Sequence, residues 1–324
     1  MKKEEVIIIG GGPCGLAAAI SLQEIGINPL VIEKGNIVNA IYQYPTHQTF
    51  FSSSEKLEIG GVAFITENRK PVRNQALAYY REVVSRKKVR VNPFELVKEV
   101  SKEAESGQYK VVTSKEEYLA SSVVIATGYY EQPNYMCIPG EELPKVFHYF
   151  KEGHPYFDQK VLVIGGKNSS VDAALELVKS GAHVTVIYRG RVYSPSVKPW
   201  ILPEFDALVR NGTIKMEFGA TVTSISEKSV TYISQDGDEK NIENDFVFAM
   251  TGYHPDQQFL RKMGIQIDEL SGRPVFNPDT METNMEGLYI AGVIAAGNNA
   301  NEIFIENGRF HGELIARNIQ EKRG

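Results

Sequence analysis

The chain has 324 residues, 42% of them hydrophobic and 23% charged, which is enough apolar content for two ordinary domains with substantial cores. Its 40 acidic and 35 basic side chains leave a formal charge of -5, so composition argues against a nucleic-acid partner, and Arg86, Lys87, Lys88 and Arg90 read as a solvated face. Two cysteines are too few for a disulfide scaffold, no apolar run reaches membrane-spanning length, and the MKKEE start lacks a signal peptide's apolar stretch; a cytoplasmic protein without membrane contact is expected.

The first predicted element is a strand at residues 6–9, a β-branched run of the kind buried in a parallel sheet. It runs into Gly10, Gly12 and Gly15 in G-x-G-x-x-G spacing. Gly10 permits the tight turn, Gly12 lets the backbone approach a pyrophosphate, and Gly15 lets the following helix pack on the strand with its N-terminus facing the negative charge. Pro13 suits the first helical turn, Leu16, Ile20 and Ile25 give the helix an apolar side, and Gly26 sits where it would end. A second strand at residues 30–32 delivers Glu33, 23 positions past Gly10, the place from which such folds hold the adenosine ribose hydroxyls; Lys34 follows. The plainer alternative is a glycine turn of any βα unit with a surface glutamate after it.

Residues 36–71 show little periodicity and read as loop and short helix beside a cofactor ring. Tyr42, Gln43, His47 and Thr49 offer it polar edges and stacking, with ordinary packing an equal alternative for each. Residues 71–88 are expected to be helical and residues 110–113 and 118–125 to be strands, the latter ending in Ala126, Thr127 and Gly128. Cys137 reads as a packing residue, and the six histidines, His148 and His154 among them, have no metal spacing, so no metal is expected.

Sliding the chain by 155 positions lays residues 6–35 on residues 161–190 without a gap, so the first unit recurs. Gly165, Gly166, Lys167, Asn168, Ser169 and Ser170 form the second turn, which departs from the fingerprint at Lys167 and Ser170. The chemistry differs at the second strand's end. Glu33 is matched by Tyr188 and Lys34 by Arg189, with Arg191 close behind; losing the carboxylate and gaining guanidinium groups suits a ribose 2′-phosphate. The first site is therefore expected to take FAD and the second NADPH, with NADH the runner-up if both arginines are merely solvated. Trp200 reads either as a cover for the nucleotide or a partner, or as a surface anchor.

A strand at residues 246–248 leads to Ala249, Met250, Thr251 and Gly252, echoing the earlier Ala-Thr-Gly. Both Thr-Gly turns are read as chain crossings between domains, Thr127 and Gly128 serving FAD, Thr251 and Gly252 serving NADPH. The expected architecture is α/β: two Rossmann-like, three-layer dinucleotide domains, with an NADPH domain of residues 130–252 inserted in an FAD domain of residues 1–129 and 253–324. A last strand at residues 288–291 and Gly292 precede a helix expected to start near Asn298, with Asn299 and Glu302 as a capping box. Its dipole would face the flavin N1/O2 edge and favour the anionic reduced form. His311 is read as a core histidine, with a flavin neighbour as the alternative.

The whole chain resembles the small two-domain pyridine nucleotide disulfide oxidoreductases, of which low-molecular-weight thioredoxin reductase is the best known. It departs from them in lacking C-x-x-C in HYFKEGHPYFDQK and in carrying Val293 where Ala-Gly-Asp would place an acid. GGGPCG around Cys14, HYFKEGHPYFD at 148–158, GGKNSSVDAALEL at 165–177 and IAGVIAAGNNANEIFIENGRFHG at 290–312 are similar to the bacilliredoxin reductase family, also called bacillithiol disulfide reductase. That resemblance implies an NADPH-dependent flavoenzyme keeping bacillithiol reduced, with bacilliredoxin as protein partner, and it carries the family's active cysteine onto Cys14. A homo-oligomer is the expected assembly.

Hydride from NADPH to flavin requires the nicotinamide to stack within about 3 to 3.5 Å of the ring. Beyond the flavin, Cys14 is the sole thiol that its motif places near cofactor. A helix N-terminus lowers its pKa and a nearby pyrophosphate raises it, and a small space-filling role remains the alternative. Two other functions stay open: an NADPH-dependent ferredoxin or flavodoxin reductase indifferent to Cys14, and a non-catalytic redox-sensing flavoprotein.

Overall fold

The computed structural model describes residues 1–299 and 301–324, and the chain divides into two compact units, Met1–Gln132 with His254–Gly324, and Pro133–Tyr253. The first unit begins with β1 (Lys2–Ile9), α1 (Pro13–Glu24), β2 (Leu30–Ile32), α2 (Asn39–Gln43), α3 (Arg73–Lys87), β3 (Arg90–Asn92), β4 (Val97–Lys102), β5 (Tyr109–Thr113) and β6 (Glu117–Ile125). Its sheet runs β3-β2-β1-β6-β5-β4, parallel from β3 to β6 and antiparallel beyond. Val6, Ile7, Ile8 and Ile9 are all at most 5% exposed. A strand covered on both faces needs such an unbroken apolar run, and each buried side chain stabilises by about 1.5–3 kcal/mol. Pro13 opens α1, where its missing N–H has no intrahelical partner to lose. That helix is buried over Gly15–Ile20 and again at Leu22, more than the single apolar side expected, because α8 (below) packs on it as well as the sheet.

The second unit contains β7 (Val146–Phe147), β8 (Lys160–Ile164), α4 (Asn168–Lys179), β9 (His183–Tyr188), α5 (Leu202–Arg210), β10 (Ile214–Phe218), β11 (Thr221–Ile225), β12 (Ser229–Ile233), β13 (Glu239–Glu243) and β14 (Phe246–Ala249). A parallel sheet runs β10-β9-β8-β14-β7, and β11-β12-β13 form an antiparallel sheet of their own. Alternation along β8 makes three layers. Val161 and Val163 join a core with Val171, Ala174 and Phe205 of the helices, while Leu162 and Ile164 join one with Val222, Val230 and Tyr232 of the small sheet. The chain enters this unit at Pro133 and leaves at Tyr253, and those two residues are bridged to each other.

The first unit resumes with α6 (Gln257–Lys262), β15 (Leu288–Ile290), α7 (Ile305–Gly308) and α8 (His311–Arg323). β15 pairs in parallel with the end of β6, Leu288 opposite Val123 and Ile290 opposite Ile125. The helix expected near Asn298 starts later. Val293–Ala296 is a 3-10 turn, Asn299 Oδ1 accepts from the Asn301 N–H, Asn299 Nδ2 donates to Glu302 at 3.1 Å, and the first α-helical residue is Ile305; Ala300, on which part of that expectation falls, lies outside the described residues. A polar side chain that bonds its own neighbours closes a turn as readily as it caps a helix. Among the described residues no helix is long and apolar enough to cross a membrane, and no group of three or more His, Cys, Asp or Glu side chains could hold a metal.

Candidate functional site

In the first unit the strand-turn-helix of residues 9–15 forms an open cradle. Gly10 adopts φ +110°, and a β-carbon there would lie 2.4 Å from the Ala126 carbonyl oxygen. A β-carbon on Gly15 would lie 2.1 Å from the Gly10 carbonyl oxygen, so the helix meets its own turn at a distance that only glycine permits. Around Gly12 the situation is opposite: a β-carbon would meet nothing within 4 Å. The N-terminus of α1 thus opens onto free space at Gly12, leaving room for a group to approach the backbone there.

Glu33, 7% exposed, stands beside this turn with both oxygens engaged, Oε2 accepting from the Gly11 N–H at 2.6 Å and Oε1 from the Gly35 N–H at 2.7 Å. Burial raises its pKa and the two backbone donors oppose that rise. Lys34 forms an ion pair with Glu131, which also accepts from Asn39 Nδ2 at 2.7 Å. The Val38 N–H donates to the Gly11 carbonyl at 2.9 Å, tying the start of α2 to the turn. Tyr42 and Gln43 end that helix and His47 lies in the loop after it, all three exposed; the Tyr42 carbonyl accepts from Arg73 Nη2 at 2.6 Å and its ring lies 5.3 Å below the guanidinium. Thr127 and Gly128 follow β6 next to Gly10, and Gly128 has φ +71°.

Gly292 follows β15 with its α-carbon against Cys14: a β-carbon there would be 2.9 Å from Cys14 Cβ and 3.1 Å from Sγ. Gly308 of α7 closes on the same sulfur, 2.9 Å by the same measure. Cys14 as a residue is half-buried, yet its thiol is enclosed, and burial, with the Glu306 carboxylate adding to it, pushes the thiol up to about 12. Burial, a cause the sequence reading of helix N-terminus against pyrophosphate did not include, sets the direction here. The Glu306 carboxylate in turn accepts from the Ser52 hydroxyl. His311 is half-buried with Nδ1 accepting from the Gly292 N–H at 3.1 Å, and burial lowers its pKa, so it stands neutral beside the Cys14 node.

The second unit repeats the cradle at the same offset. Gly165 has φ +141°, with a β-carbon 2.6 Å from the Met250 carbonyl oxygen, and α4 starts at Asn168 as α1 starts at Pro13. The Tyr188 ring fills the ground that Glu33 holds in the first copy, lying against both Gly166 and Gly190, where β-carbons would come within 2.3 Å of it. Lys167, Ser169, Arg189 and Arg191 are exposed around the turn. Asn168 and Ser170 spend their polar groups on the fold: Asn168 Nδ2 donates to the Ser196 carbonyl at 2.9 Å while Oδ1 accepts from the Lys198 N–H at 2.9 Å, and Ser170, 1% exposed, donates to the Lys167 carbonyl at 2.8 Å. These side chains are thus engaged by the fold, while the backbone N–H groups of Asn168 and Ser170 belong to the first turn of α4. Thr251 donates to the Asn134 carbonyl at 2.6 Å, and the Asn134 N–H donates to the Gly252 carbonyl at 2.9 Å.

Gly11, Asn39, Glu131, Glu306 and Gly308 join these constellations without having been singled out in the sequence. Gly11 was within reach as the unassigned middle of the glycine run, whereas Glu131, Glu306 and Gly308 arrive from distant segments and carry no local pattern.

A family model described as pyridine nucleotide-disulphide oxidoreductase matches residues 7–292. The chain is 71% identical over 322 residues to bacilliredoxin reductase Bdr of Bacillus subtilis (strain 168), covering 99% of each. Among solved structures, bacillithiol disulfide reductase Bdr (YpdA) from Bacillus cereus is similar with a TM-score of 0.97 and 73% identity, covering 99% of this chain and 100% of that one. The Staphylococcus aureus protein of the same description aligns at TM-score 0.96 and 59% identity over all of both chains.

Proposed function

The chain belongs to the pyridine nucleotide-disulphide oxidoreductase family, and from that premise we propose that it is a bacillithiol disulfide reductase working with bacilliredoxin, holding FAD in its first glycine cradle and oxidising NADPH held in its second. Flavin and pyridine nucleotide use go with the family; the assignment of FAD and NADPH to particular cradles is our own. The observation that carries it is the duplicated cradle whose two copies differ in charge at one place, Glu33 in the first and Tyr188, Arg189 and Arg191 in the second.

The residues divide the work as follows. Backbone around Gly12 at the start of α1 receives the FAD pyrophosphate, and Glu33, already oriented by the Gly11 and Gly35 N–H groups, takes the ribose hydroxyls. Arg189 and Arg191 offer fork donors to a 2′-phosphate, and Tyr188 removes the carboxylate that would repel it. Bound FAD would supply the two-electron relay between nicotinamide and disulfide. Cys14 is the proposed exchange point. Its sulfur forms a bond to one sulfur of the substrate disulfide as the substrate S–S bond breaks; the proton lost by the Cys14 thiol goes to the departing thiol, and the two electrons and one proton of the NADPH hydride, with a second proton from solvent, return the mixed disulfide to two thiols.

The test is NADPH consumption with bacillithiol disulfide, alone and with bacilliredoxin, in the native protein and in Cys14→Ala. Sustained consumption that requires the disulfide and disappears in Cys14→Ala is expected. Unchanged turnover in Cys14→Ala removes that residue from the route, and turnover only with ferredoxin or flavodoxin overturns the substrate assignment.

A further inference from the structure

Among the described residues, the surroundings of Cys14 carry a negative charge and no cation to offset it. Gly292 and Gly308 close on the sulfur, and Glu306 stands two residues before Gly308 in the same short helix, α7. Its carboxylate is half-buried and accepts from the Ser52 hydroxyl, while no lysine, arginine or histidine among the described residues pairs with it. The other polar groups close by are uncharged. Burial raises the phenols of Tyr44 and Tyr80, both in electrostatic reach of Cys14 and Glu306, so they keep their protons, and burial lowers His311, which stays neutral.

For an exchange cysteine this arrangement is unfavourable in the free protein. Burial already disfavours the thiolate, and the Glu306 carboxylate adds to it. The arrangement becomes favourable when the substrate itself brings the missing cation. A positive group close to the disulfide forms a charge-assisted hydrogen bond with Glu306, and the same pairing relieves the repulsion on the sulfur that has to attack. A half-buried carboxylate with no counter-ion in its own fold discriminates between charged and neutral partners far more than an exposed one, because water competes with it less.

We propose that Glu306 is a specificity residue of the exchange site, selecting disulfides that carry a primary ammonium within a few bonds of the sulfur, as a free cysteinyl amine does. This rests on the reading of Cys14 as the exchange point. Ser52 is a positioning residue that aims the carboxylate, and Gly308, where a β-carbon would come 2.9 Å from the sulfur, lets α7 bring Glu306 so near. Substrate binding then does two things at once: it holds the disulfide, and it favours the thiolate only where a disulfide is present to receive it.

Mixed-disulfide formation on the FAD-loaded full chain, without NADPH, tests this. One arm uses cystamine and the other bis(2-hydroxyethyl) disulfide, reagents of the same length that end in ammonium and in hydroxyl groups. In each, the Cys14 sulfur bonds to one reagent sulfur while the other leaves as a thiol with the proton, and peptide mass spectrometry follows the adduct. The ratio of the two rates is the readout, since the thiolate fraction of the free protein cancels from it; the exposed Cys137 supplies the baseline ratio set by the net charge of the chain. Cys14 is expected to exceed that baseline by about tenfold in favour of cystamine, and Glu306→Gln, which keeps the side-chain shape, to return it to the baseline. A native Cys14 ratio no higher than that of Cys137, or a preference that survives Glu306→Gln, overturns the ammonium assignment and leaves Cys14 as the exchange point. Absence of any Cys14 adduct in both arms overturns both readings.

Discussion

Burial and the Glu306 carboxylate push the Cys14 thiol up to about 12, so at neutral pH it is almost wholly protonated. The sign follows from the cause: burial and the Glu306 carboxylate both disfavour the anion at Cys14, so the reactive fraction grows about tenfold per pH unit and goes on growing until the pH reaches 12. If exchange at Cys14 limits turnover, the rate of disulfide reduction should climb steeply between pH 7 and pH 10, where an ordinary cysteine near 8.5 would already have levelled off; a pH-rate profile on the native protein checks this. The exposed Cys137 serves as an internal reference, since limited alkylation of the folded protein at pH 7 should modify it first.

At the level of the element, the two glycines of the first turn separate packing from binding. Gly15→Ala forces a β-carbon to 2.1 Å from the Gly10 carbonyl and should lower both stability, by about 2 kcal/mol or more, and flavin retention. Gly12→Ala meets open space and should leave denaturation of the flavin-free protein within about 0.5 kcal/mol of native while flavin affinity falls. Chemical denaturation together with the 450 nm absorbance of purified protein distinguishes the two. The βαβ copies were readable in the sequence almost residue by residue because glycine spacing and unbroken apolar runs are local signals: α1 and α4 begin 155 positions apart, as the alignment requires. Short or half-polar strands left no such mark. β3 has only Arg90, Val91 and Asn92, and β13 reads Glu-Lys-Asn-Ile-Glu, so their pairing is decided by neighbours. Asn168 and Ser170 show a different limit, since fingerprint position alone does not say how far a polar side chain is engaged by nearby backbone.

For the molecule as a whole, residues 133–253 have a continuous backbone, two hydrophobic cores of their own and a complete five-stranded parallel sheet. Produced alone, this segment should unfold cooperatively and bind NADPH without taking up FAD; a molten segment, or one that acquires flavin, would contradict the division of cofactors between the cradles. The proposed charge difference between the cradles predicts which nucleotide the excised piece selects, and fluorescence of bound NADPH against NADH measures it.

The bridge between Pro133 and Tyr253 has a consequence for how such a chain can change over evolutionary time. Both severed ends of the inserted piece emerge through a single doorway, so a foreign module with equally close termini can be grafted there without rethreading the host, and the inserted unit can be exchanged as a cassette.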